Sequence, residues 1–303
     1  GASTSSRKRE ASGPSAWEIR EDELTLLGQV GEGTTAVVYM GRLRGRMVAV
    51  KEVHALQDDV DGIMVQSVQR ELRVLSRAHH PNIVQFVGLV VKSMPLQLVL
   101  EFCAGGSLFE LLHNHWNIPL SWKEQRTKTL MDTSKAADYL HNFDPPIVHR
   151  DLKSLNLMLL EPVVDQHVVP HIKLADFGLA RFHEARKMTQ GVGTKHWTAP
   201  EVLSGTDYTD KADVFSFAMV AYEVVTRHVP FERLDPTSVA KLTREGKRPD
   251  LSDGSIVPKE VPVGLLELIV LCWDQKPQNR PSFSQIVRLL EVIEECTPEN
   301  SVS

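Results

Sequence analysis

The feature that most constrains this sequence is a change of pattern near residues 104–106. Before this point, short runs of β-branched and apolar residues are separated by turns, which is typical of strands. Three such runs with glycine-containing turns between them predict an antiparallel meander: Leu24 to Val30, Val37 to Leu43 and Met47 to Val53. Two more apolar runs predict strands at Ile83 to Val91 and Leu96 to Phe102.

Helical spacing interrupts the strands once and dominates the rest of the chain. Leu72 and Leu75 continue a stripe that begins at Met64 and stops before His80-Pro81. After residue 106, four segments repeat apolar residues at helical spacing: Ser121 to Asn142, Asp210 to Arg227, Val263 to Cys272 and Ser282 to Glu295. Because 214–225 is apolar on nearly every side, we expect that helix to be buried.

The patterns predict an α+β fold with a small antiparallel sheet lobe, which includes one helix, and a larger, mainly helical lobe. We expect a disordered tail at 1–16, a first lobe at 17–103, a second lobe at 104–296 and a short tail at 297–303. The first tail is rich in Ser, Gly and basic residues and lacks apolar anchors that would offset the entropy of ordering.

Charge and cysteine usage exclude several classes. A formal net charge of -5 argues against nucleic acid as a partner. The three cysteines have no CxxC spacing, which disfavours disulfides and zinc and favours a reducing cytosol or nucleus; of these we expect a cytoplasmic location. No apolar run approaches the roughly 20 residues of a membrane span, so we expect no direct membrane insertion.

A glycine-rich turn joins the first two predicted strands. Gly31 and Gly33 allow backbone N–H groups to approach phosphates without interference from side chains. An isolated match of this kind is more often a plain turn, so the neighbouring motifs must decide.

Lys51 lies in the apolar strand run Val48-Ala49-Val50-Lys51, where an unpaired ammonium would be costly to bury. Glu71 falls on the apolar face of the following helix, three residues after Val68. This spacing predicts a buried Lys51–Glu71 pair.

A loop at 149–156 places Asp151, Lys153 and Asn156 close together after a long helical segment. Asp176 follows another apolar run and begins the sequence Asp-Phe-Gly. Asn156 and Asp176 offer oxygen ligands suited to a hard cation such as Mg²⁺.

The order of these motifs resembles that of eukaryotic protein kinases from about residue 24 to residue 290. The elements that carry the resemblance are Gly31, Val-Ala-Val-Lys51, Glu71, His-Arg-Asp151, Asn156, Asp176-Phe-Gly and Ala199-Pro200-Glu201. The resemblance implies the bilobal protein kinase fold and transfer of the γ-phosphoryl group of ATP to protein substrates.

The resemblance also implies a role for each motif residue. Lys51 would hold the α- and β-phosphates and Glu71 would orient it, while Asn156 and Asp176 would bind Mg²⁺. Asp151 would accept the proton of the substrate hydroxyl, and Lys153 would add positive charge beside the moving phosphoryl group. The nucleotide would also contact Val30, Gly31, Gly33, Val38, Ala49, Leu100, Glu101, Cys103 and Met158.

The run 151–154, Asp-Leu-Lys-Ser, with Gly193-Thr194 and Cys272-Trp273, resembles the tyrosine-kinase-like branch of serine/threonine kinases, which includes Raf and mixed-lineage kinases. This favours transfer to serine or threonine in intracellular signalling. A dual-specificity or tyrosine kinase, or a catalytically weak nucleotide-binding scaffold, stays open as an alternative.

Arg150 suggests control by phosphorylation, because it could pair with a phosphate on the loop before Glu201. Thr189 is the first candidate acceptor, for an upstream kinase or for autophosphorylation; a solvated loop threonine is the alternative.

Arg280 is expected to pair with Glu201. The segment 161–170 is longer than is usual in the family. The oligomeric state is left open by the sequence.

Overall fold

The computed structural model describes residues 17–33, 36–53, 72, 74–90, 95–177, 194–206 and 208–298. Contacts divide them into two compact units. The first unit comprises described residues up to 53 together with 86–102, and the second comprises those of 72–85 together with 103–298.

The first unit is a five-stranded antiparallel sheet in the order β1-β2-β3-β5-β4. Its strands are β1 (Leu24–Glu32), β2 (Ala36–Leu43), β3 (Arg46–Val53), β4 (Phe86–Val90) and β5 (Leu96–Glu101). The predicted meander is confirmed, because β1, β2 and β3 pair in succession. Ahead of it, Ile19 N–H donates to the Leu89 carbonyl and Leu89 N–H donates to the Trp17 carbonyl, so the chain before β1 lies against β4.

The prediction that a strand begins at Ile83 is wrong. Ile83 instead forms a parallel bridge with Leu174, and Val84 N–H donates to the Leu174 carbonyl at 2.9 Å. Asn82 adds a side-chain bond to the Ile172 carbonyl at 2.9 Å. These residues therefore belong to the second unit, and β4 begins only at Phe86.

The second unit is mainly helical, with one two-stranded sheet of β6 (Leu157–Leu159) and β7 (Ile172–Leu174). Its α-helices are α1 (Leu108–His113), α2 (Lys128–His141), α3 (Pro200–Leu203), α4 (Lys211–Thr226), α5 (Pro236–Arg244), α6 (Leu265–Cys272) and α7 (Phe283–Cys296). A π-helical turn at Trp122–Thr127 leads into α2. The sheet and the helices together confirm the predicted bilobal, α+β kinase fold.

Helix α4 is the buried helix that its sequence predicts. Every residue from Ala212 to Thr226 is buried, and Asp213 and Glu223 are buried with the apolar residues. A buried carboxylate is stable only when hydrogen bonds replace its water shell. Both side chains therefore need partners from neighbouring segments.

The structure adds three short α-helices that the sequence analysis missed, α1, α3 and α5. In α1, Ser107 and Glu110 form a capping box, and in α5, Asp235 caps the helix ahead of Pro236. Both cap patterns are visible in the sequence, but the helices are short and their periodicity is weak. Among the described residues, no helix is both long and apolar enough to cross a membrane.

Candidate active site

Strand pairing brings four of the residues predicted to contact the nucleotide, Val38, Ala49, Lys51 and Leu100, onto one face of the first unit's sheet. Val38 lies opposite Lys51, and Ala49 lies opposite Leu100. Ala49 and Lys51 are two residues apart in β3, so their side chains point to the same face. The other face carries Val50 and Val99, which belong to the apolar core.

Lys51 is buried, with 8% of its surface exposed. Its predicted partner Glu71 lies outside the described residues, so the Lys51–Glu71 pair stays a prediction.

The glycine-rich turn connects β1 and β2. Gly31 pairs with Val38, and Gly33 N–H donates to the Ala36 carbonyl at 2.8 Å. An added Cβ would meet only Val38 Cβ at 3.8 Å for Gly31 and the Ala36 carbonyl at 3.5 Å for Gly33, which are ordinary contacts. The surroundings described here therefore leave room for larger residues at both positions. Val30, just before the turn, is exposed.

Two further residues predicted to contact the nucleotide, Glu101 and Cys103, fall where β5 leads into the second unit. Glu101 ends β5 opposite Val48, and Cys103 follows in a half-buried position. Immediately afterwards, Gly105 N–H donates to the Leu159 carbonyl at 3.0 Å. Met158 lies in β6 and bridges Ser107. Gly105 and Ser107 therefore both hold their segment against β6.

The loop at 149–156, which is the predicted catalytic loop, is held by hydrogen bonds to its own residue Asp151. Lys153 Nζ donates to Asp151 Oδ2 at 2.7 Å, and Asn156 Nδ2 donates to the same oxygen at 2.9 Å and to the Asp151 carbonyl at 2.8 Å. The other carboxylate oxygen, Oδ1, is buried and has no hydrogen-bond partner within the described part of the chain. Asp151 therefore has one oxygen held by two hydrogen bonds and one buried oxygen without a partner among the described residues.

The start of this loop is anchored on Asp213 of α4. Asp213 Oδ2 accepts from His149 N–H and Asp213 Oδ1 from Arg150 N–H, both at 2.8 Å. His141 Nε2 lies 2.9 Å from Oδ2. Burial by itself raises the pKa of Asp213, but the hydrogen bond and charge interaction with His141, the interaction with His149 and the Arg150 N–H outweigh it. The pKa of Asp213 therefore lies below its ordinary value.

The loop also contacts the segment that leads to Asp176. His149 Nδ1 accepts from Asp151 N–H at 3.3 Å, which leaves Nε2 to donate to the Ala175 carbonyl at 3.0 Å. Ala175 N–H donates to the Asn156 carbonyl at 2.9 Å. Asp176 thus directly follows Ala175, whose backbone bonds to both His149 and Asn156 of the loop.

Two non-glycine residues of this site have left-handed backbone conformations. Arg150 has φ = 71° and Asp176 has φ = 67°. Such conformations are strained by about 1–3 kcal/mol each and persist only where the surroundings hold them. For Arg150, that support includes the Asp213 carboxylate and a cation–π contact with the Tyr208 ring at 5.4 Å. Strain of this kind is concentrated at functional sites.

The predicted ion pair between Glu201 and Arg280 is present in the structure. Arg280 Nη1 and Nη2 donate to Glu201 Oε1 and Oε2 at 2.7 and 2.9 Å, which is a bidentate arrangement. The Arg280 side chain is fully buried and also donates to the Lys211 and Asp274 carbonyls. The segment after residue 200 is therefore held firmly to α4.

Thr189, the predicted phosphorylation site, lies outside the described residues.

Sequence reasoning missed one buried carboxylate next to the catalytic loop. Glu223 of α4 accepts hydrogen bonds from Ser154 and Trp197 and lies 2.9 Å from His113 Nε2. The available signal was an acidic residue inside the otherwise apolar segment 214–225, because such a residue needs buried partners.

Comparisons with known proteins agree with these observations. The family profile described as protein kinase domain matches residues 24–289. The probable serine/threonine-protein kinase drkC of Dictyostelium discoideum is 39% identical over 276 residues, which are 89% of this chain and 35% of that protein. Serine/threonine-protein kinase VIK of Arabidopsis thaliana is 35% identical over 292 residues, 94% of this chain and 64% of that protein.

A third relative, serine/threonine-protein kinase STY17 of Arabidopsis thaliana, is 35% identical over 281 residues. The match covers 92% of this chain and 46% of that protein. The chain thus spans between about a third and two thirds of the length of these relatives. It belongs to the protein kinase family, whose members use ATP to phosphorylate proteins.

Proposed function

We propose that this chain is the catalytic part of a serine/threonine protein kinase of the tyrosine-kinase-like branch. The observation that carries the proposal is Asp151, which has one oxygen held by Lys153 and Asn156 and a second, buried oxygen without a partner in the described chain. A general base needs such an oxygen within reach of the proton that it accepts. The names of the relatives and the run 151–154 support serine and threonine as acceptors.

In the proposed reaction, Asp151 Oδ1 accepts the proton of the substrate hydroxyl as the hydroxyl oxygen bonds to the γ-phosphorus of ATP. The bond between that phosphorus and the β,γ-bridging oxygen breaks, and ADP leaves. Lys153 lies beside Asp151 and supplies positive charge to the transferred group. Because phosphoryl transfer depends mainly on positioning and charge stabilisation, these roles need no covalent intermediate on the protein.

The nucleotide is proposed to bind along the sheet face described above. Lys51 would contact its α- and β-phosphates with Glu71 as orienting partner, and Gly31 and Gly33 would cover the phosphates. The room around both glycines supports this assignment, since close approach of a ligand is a common reason for glycine where the fold itself does not require it. Adenine would contact the remaining predicted residues: Val30, Val38, Ala49, Leu100, Glu101, Cys103 and Met158.

Asn156 and Asp176 are proposed to hold Mg²⁺. Their chemistry fits that cation, because Asp151 engages the side-chain nitrogen Nδ2 of Asn156, which leaves the side-chain oxygen Oδ1 for a ligand. Mg²⁺ typically takes one or two protein oxygens together with phosphate oxygens. When bound, it neutralises charge on the phosphates. Nucleotide binding measured by calorimetry should therefore weaken without Mg²⁺ and in Asp176→Asn.

The proposed control is phosphorylation of Thr189 by an upstream kinase or by the chain itself. Arg150 supports it, because its strained backbone lies directly before Asp151 and a guanidinium binds phosphate strongly. Incubation with ATP should raise the turnover of the wild type and leave Thr189→Ala unstimulated. Equal stimulation of both proteins would exclude Thr189. We also propose a cytoplasmic location, which imaging of the tagged full-length protein would test.

The test of the main proposal is phosphoryl transfer by the full chain from labelled ATP to a generic protein substrate, followed by phosphoamino-acid analysis. We expect label on serine and threonine, and an about 10²- to 10⁴-fold lower kcat for Asp151→Asn, because the variant lacks the general base. Label on tyrosine would change the assigned specificity. Nucleotide binding without transfer in the wild type would favour the scaffold alternative.

A further inference from the structure

A second buried carboxylate of α4 connects segments on both sides of the proposed catalytic loop. Glu223 lies ten residues after Asp213, about 15 Å further along the helix. Glu223 Oε1 accepts from Ser154 Oγ at 2.8 Å, and Glu223 Oε2 accepts from Trp197 Nε1 at 2.6 Å. His113 Nε2, at the end of α1, lies 2.9 Å from Oε1. The carboxylate is thus shared by three separate segments.

Each partner of Glu223 has a defined place relative to the reaction. Ser154 directly follows Lys153 and begins the 3₁₀ turn that ends at Asn156. Trp197 lies just before Thr198 and the Ala199-Pro200-Glu201 segment. Its ring is almost fully buried, and its carbonyl accepts from Ser216 Oγ of the same helix α4 at 2.8 Å. Helix α4 therefore holds Trp197 at both its ring and its backbone.

The hydrogen bonds of Glu223 are short and lie in the buried interior, where a hydrogen bond is stronger than it is in water. This makes Glu223 suited to fixing these segments. Ser154 and Trp197 are 43 residues apart in the chain but donate to the two oxygens of one carboxylate. The Glu223 carboxylate therefore links the position of Ser154 to the position of Trp197.

We infer that Glu223 is a positioning residue, which sets the catalytic loop through Ser154 and the segment 197–201 through Trp197. The inference rests on the proposed function, since it concerns the same phosphoryl transfer. Because Glu223 bonds to neither Asp151 nor Asp176, its effect should be on the protein-substrate side of the reaction. Nucleotide affinity should be largely independent of it.

Two mild variants each remove one bond. Ser154→Ala removes the hydroxyl donor and Trp197→Phe removes the indole N–H, and each keeps Glu223. Matched controls are Ser134→Ala and Trp122→Phe. The Ser134 hydroxyl, which is buried, bonds only to the Leu130 carbonyl of its own helix among the contacts described. The Trp122 indole N–H is buried without a partner in the described chain.

The measurements are kcat and KM for the protein substrate, the Kd of ATP, and Tm. We expect kcat/KM for the protein substrate to fall about tenfold in Ser154→Ala and in Trp197→Phe, with the Kd of ATP unchanged. The double variant should lose less than the product of the two single effects, because both act through one carboxylate. Ser134→Ala and Trp122→Phe should lower Tm without this change in kcat/KM.

Three results would overturn the inference. The first is a kcat/KM that is the same in Ser154→Ala and Trp197→Phe as in their control variants. The second is an equal loss of ATP affinity, which would indicate a general structural defect. The third comes from NMR of Glu223→Gln, whose side-chain amide has one acceptor oxygen where the carboxylate has two. If the resonances of the Trp197 indole N–H and of residues 151–156 are the same in this variant as in the wild type, the positioning role is excluded.

The NMR result also separates this inference from the proposed function. If the wild type transfers phosphate and the variants do so equally well, only the positioning role fails. If the wild type transfers nothing, the proposed function fails, and the resonances of Glu223→Gln still show whether Glu223 sets the position of the loop.

Discussion

The sheet face in the first unit and the loop around Asp151 in the second unit position their side chains by different means. On the sheet, Val38, Lys51 and Ala49 are placed by the backbone ladder between β2, β3 and β5. In the loop, hydrogen bonds to the side chains of Asp213 and Asp151 position the residues. A ladder tolerates the loss of one side chain, whereas a loop held by a few buried bonds does not.

The difference follows from the chemistry that each region is proposed to perform. A flat apolar surface suits a nucleotide base, and regular strands provide it. Proton transfer needs an oxygen held to within a fraction of an ångström, and this requires rigid hydrogen bonds around Asp151. Lys153 and Asn156 make those bonds, and helix α4 anchors the loop on either side of them through the buried carboxylates of Asp213 and Glu223.

The largest expected effect is on the loop side, for Asp213→Ala. This variant removes the acceptor of the buried His149 N–H and of the partly buried Arg150 N–H, so the free energy of unfolding should fall by about 3–5 kcal/mol. Urea unfolding and kcat would measure it, and turnover should fall with stability.

Asp210→Ala is the matched control, since Asp210 also approaches His141, at 3.8 Å, but is about one-third exposed. Its effect should stay below about 1 kcal/mol. Similar losses in both variants would mean that burial of the carboxylate is not what holds the loop.

A smaller effect is expected on the sheet side, for Val50→Ala. Val50 is fully buried in the core of the first unit, and its truncation should lower the free energy of unfolding by about 2 kcal/mol. Well below the Tm, kcat and the Kd of ATP should stay near wild-type values, because the strand pairing is kept. A loss of kcat as large as that of Asp213→Ala would erase the proposed difference between the regions.

The link between residue 105 and β6 gives the next prediction. An added Cβ at Gly105 would lie 2.4 Å from the Glu161 carbonyl oxygen and 2.6 Å from Leu159 Cβ, so Gly105→Ala should cost about 1–2 kcal/mol in the free energy of unfolding. Gly28→Ala in β1 is the control, because no atom of the described residues, apart from Gly28 and its two chain neighbours, lies within 4 Å of its added Cβ. Thermal unfolding of the two variants would compare them, and equal Tm values would show that the chain near β6 adjusts freely.

The smallest expected effect is a dependence on pH that distinguishes the two carboxylates of α4. Burial raises the pKa of Glu223 above its ordinary value, although hydrogen bonds from His113, Trp197 and Ser154 oppose the shift. A raised pKa stabilises the folded state below the unfolded pKa of about 4.5, and this contribution is lost as pH rises through the folded pKa. Asp213 has a lowered pKa, so its contribution is present above the unfolded pKa and is lost as pH falls through the folded pKa.

Urea unfolding of Glu223→Gln and the wild type, measured from pH 4 upward, would test this sign. The variant should become more stable relative to the wild type as pH rises above about 4.5, because glutamine does not titrate. A stability difference that is independent of pH would contradict the raised pKa of Glu223.

Much of the fold could be predicted because its elements have strong local signals. Alternation and glycine turns gave β1, β2 and β3 within one or two residues, and the uniformly apolar run gave α4. The start of β4 was predicted wrongly because Ile83 is as apolar as a strand residue, and its partner Leu174 is 91 residues away. The short helices α1, α3 and α5 were missed because one to three turns carry little periodicity.

The sequence by itself determined the order of the motifs, the types of the chemical groups and the pairing of Arg280 with Glu201. Only the tertiary structure decided which oxygen of Asp151 is held and which is unpartnered, and which groups meet at Glu223. The partners of Glu223 lie 26, 69 and 110 residues away in the chain. Local propensity depends on neighbours in sequence, whereas a buried carboxylate takes whichever donors the packing of the helices brings to it.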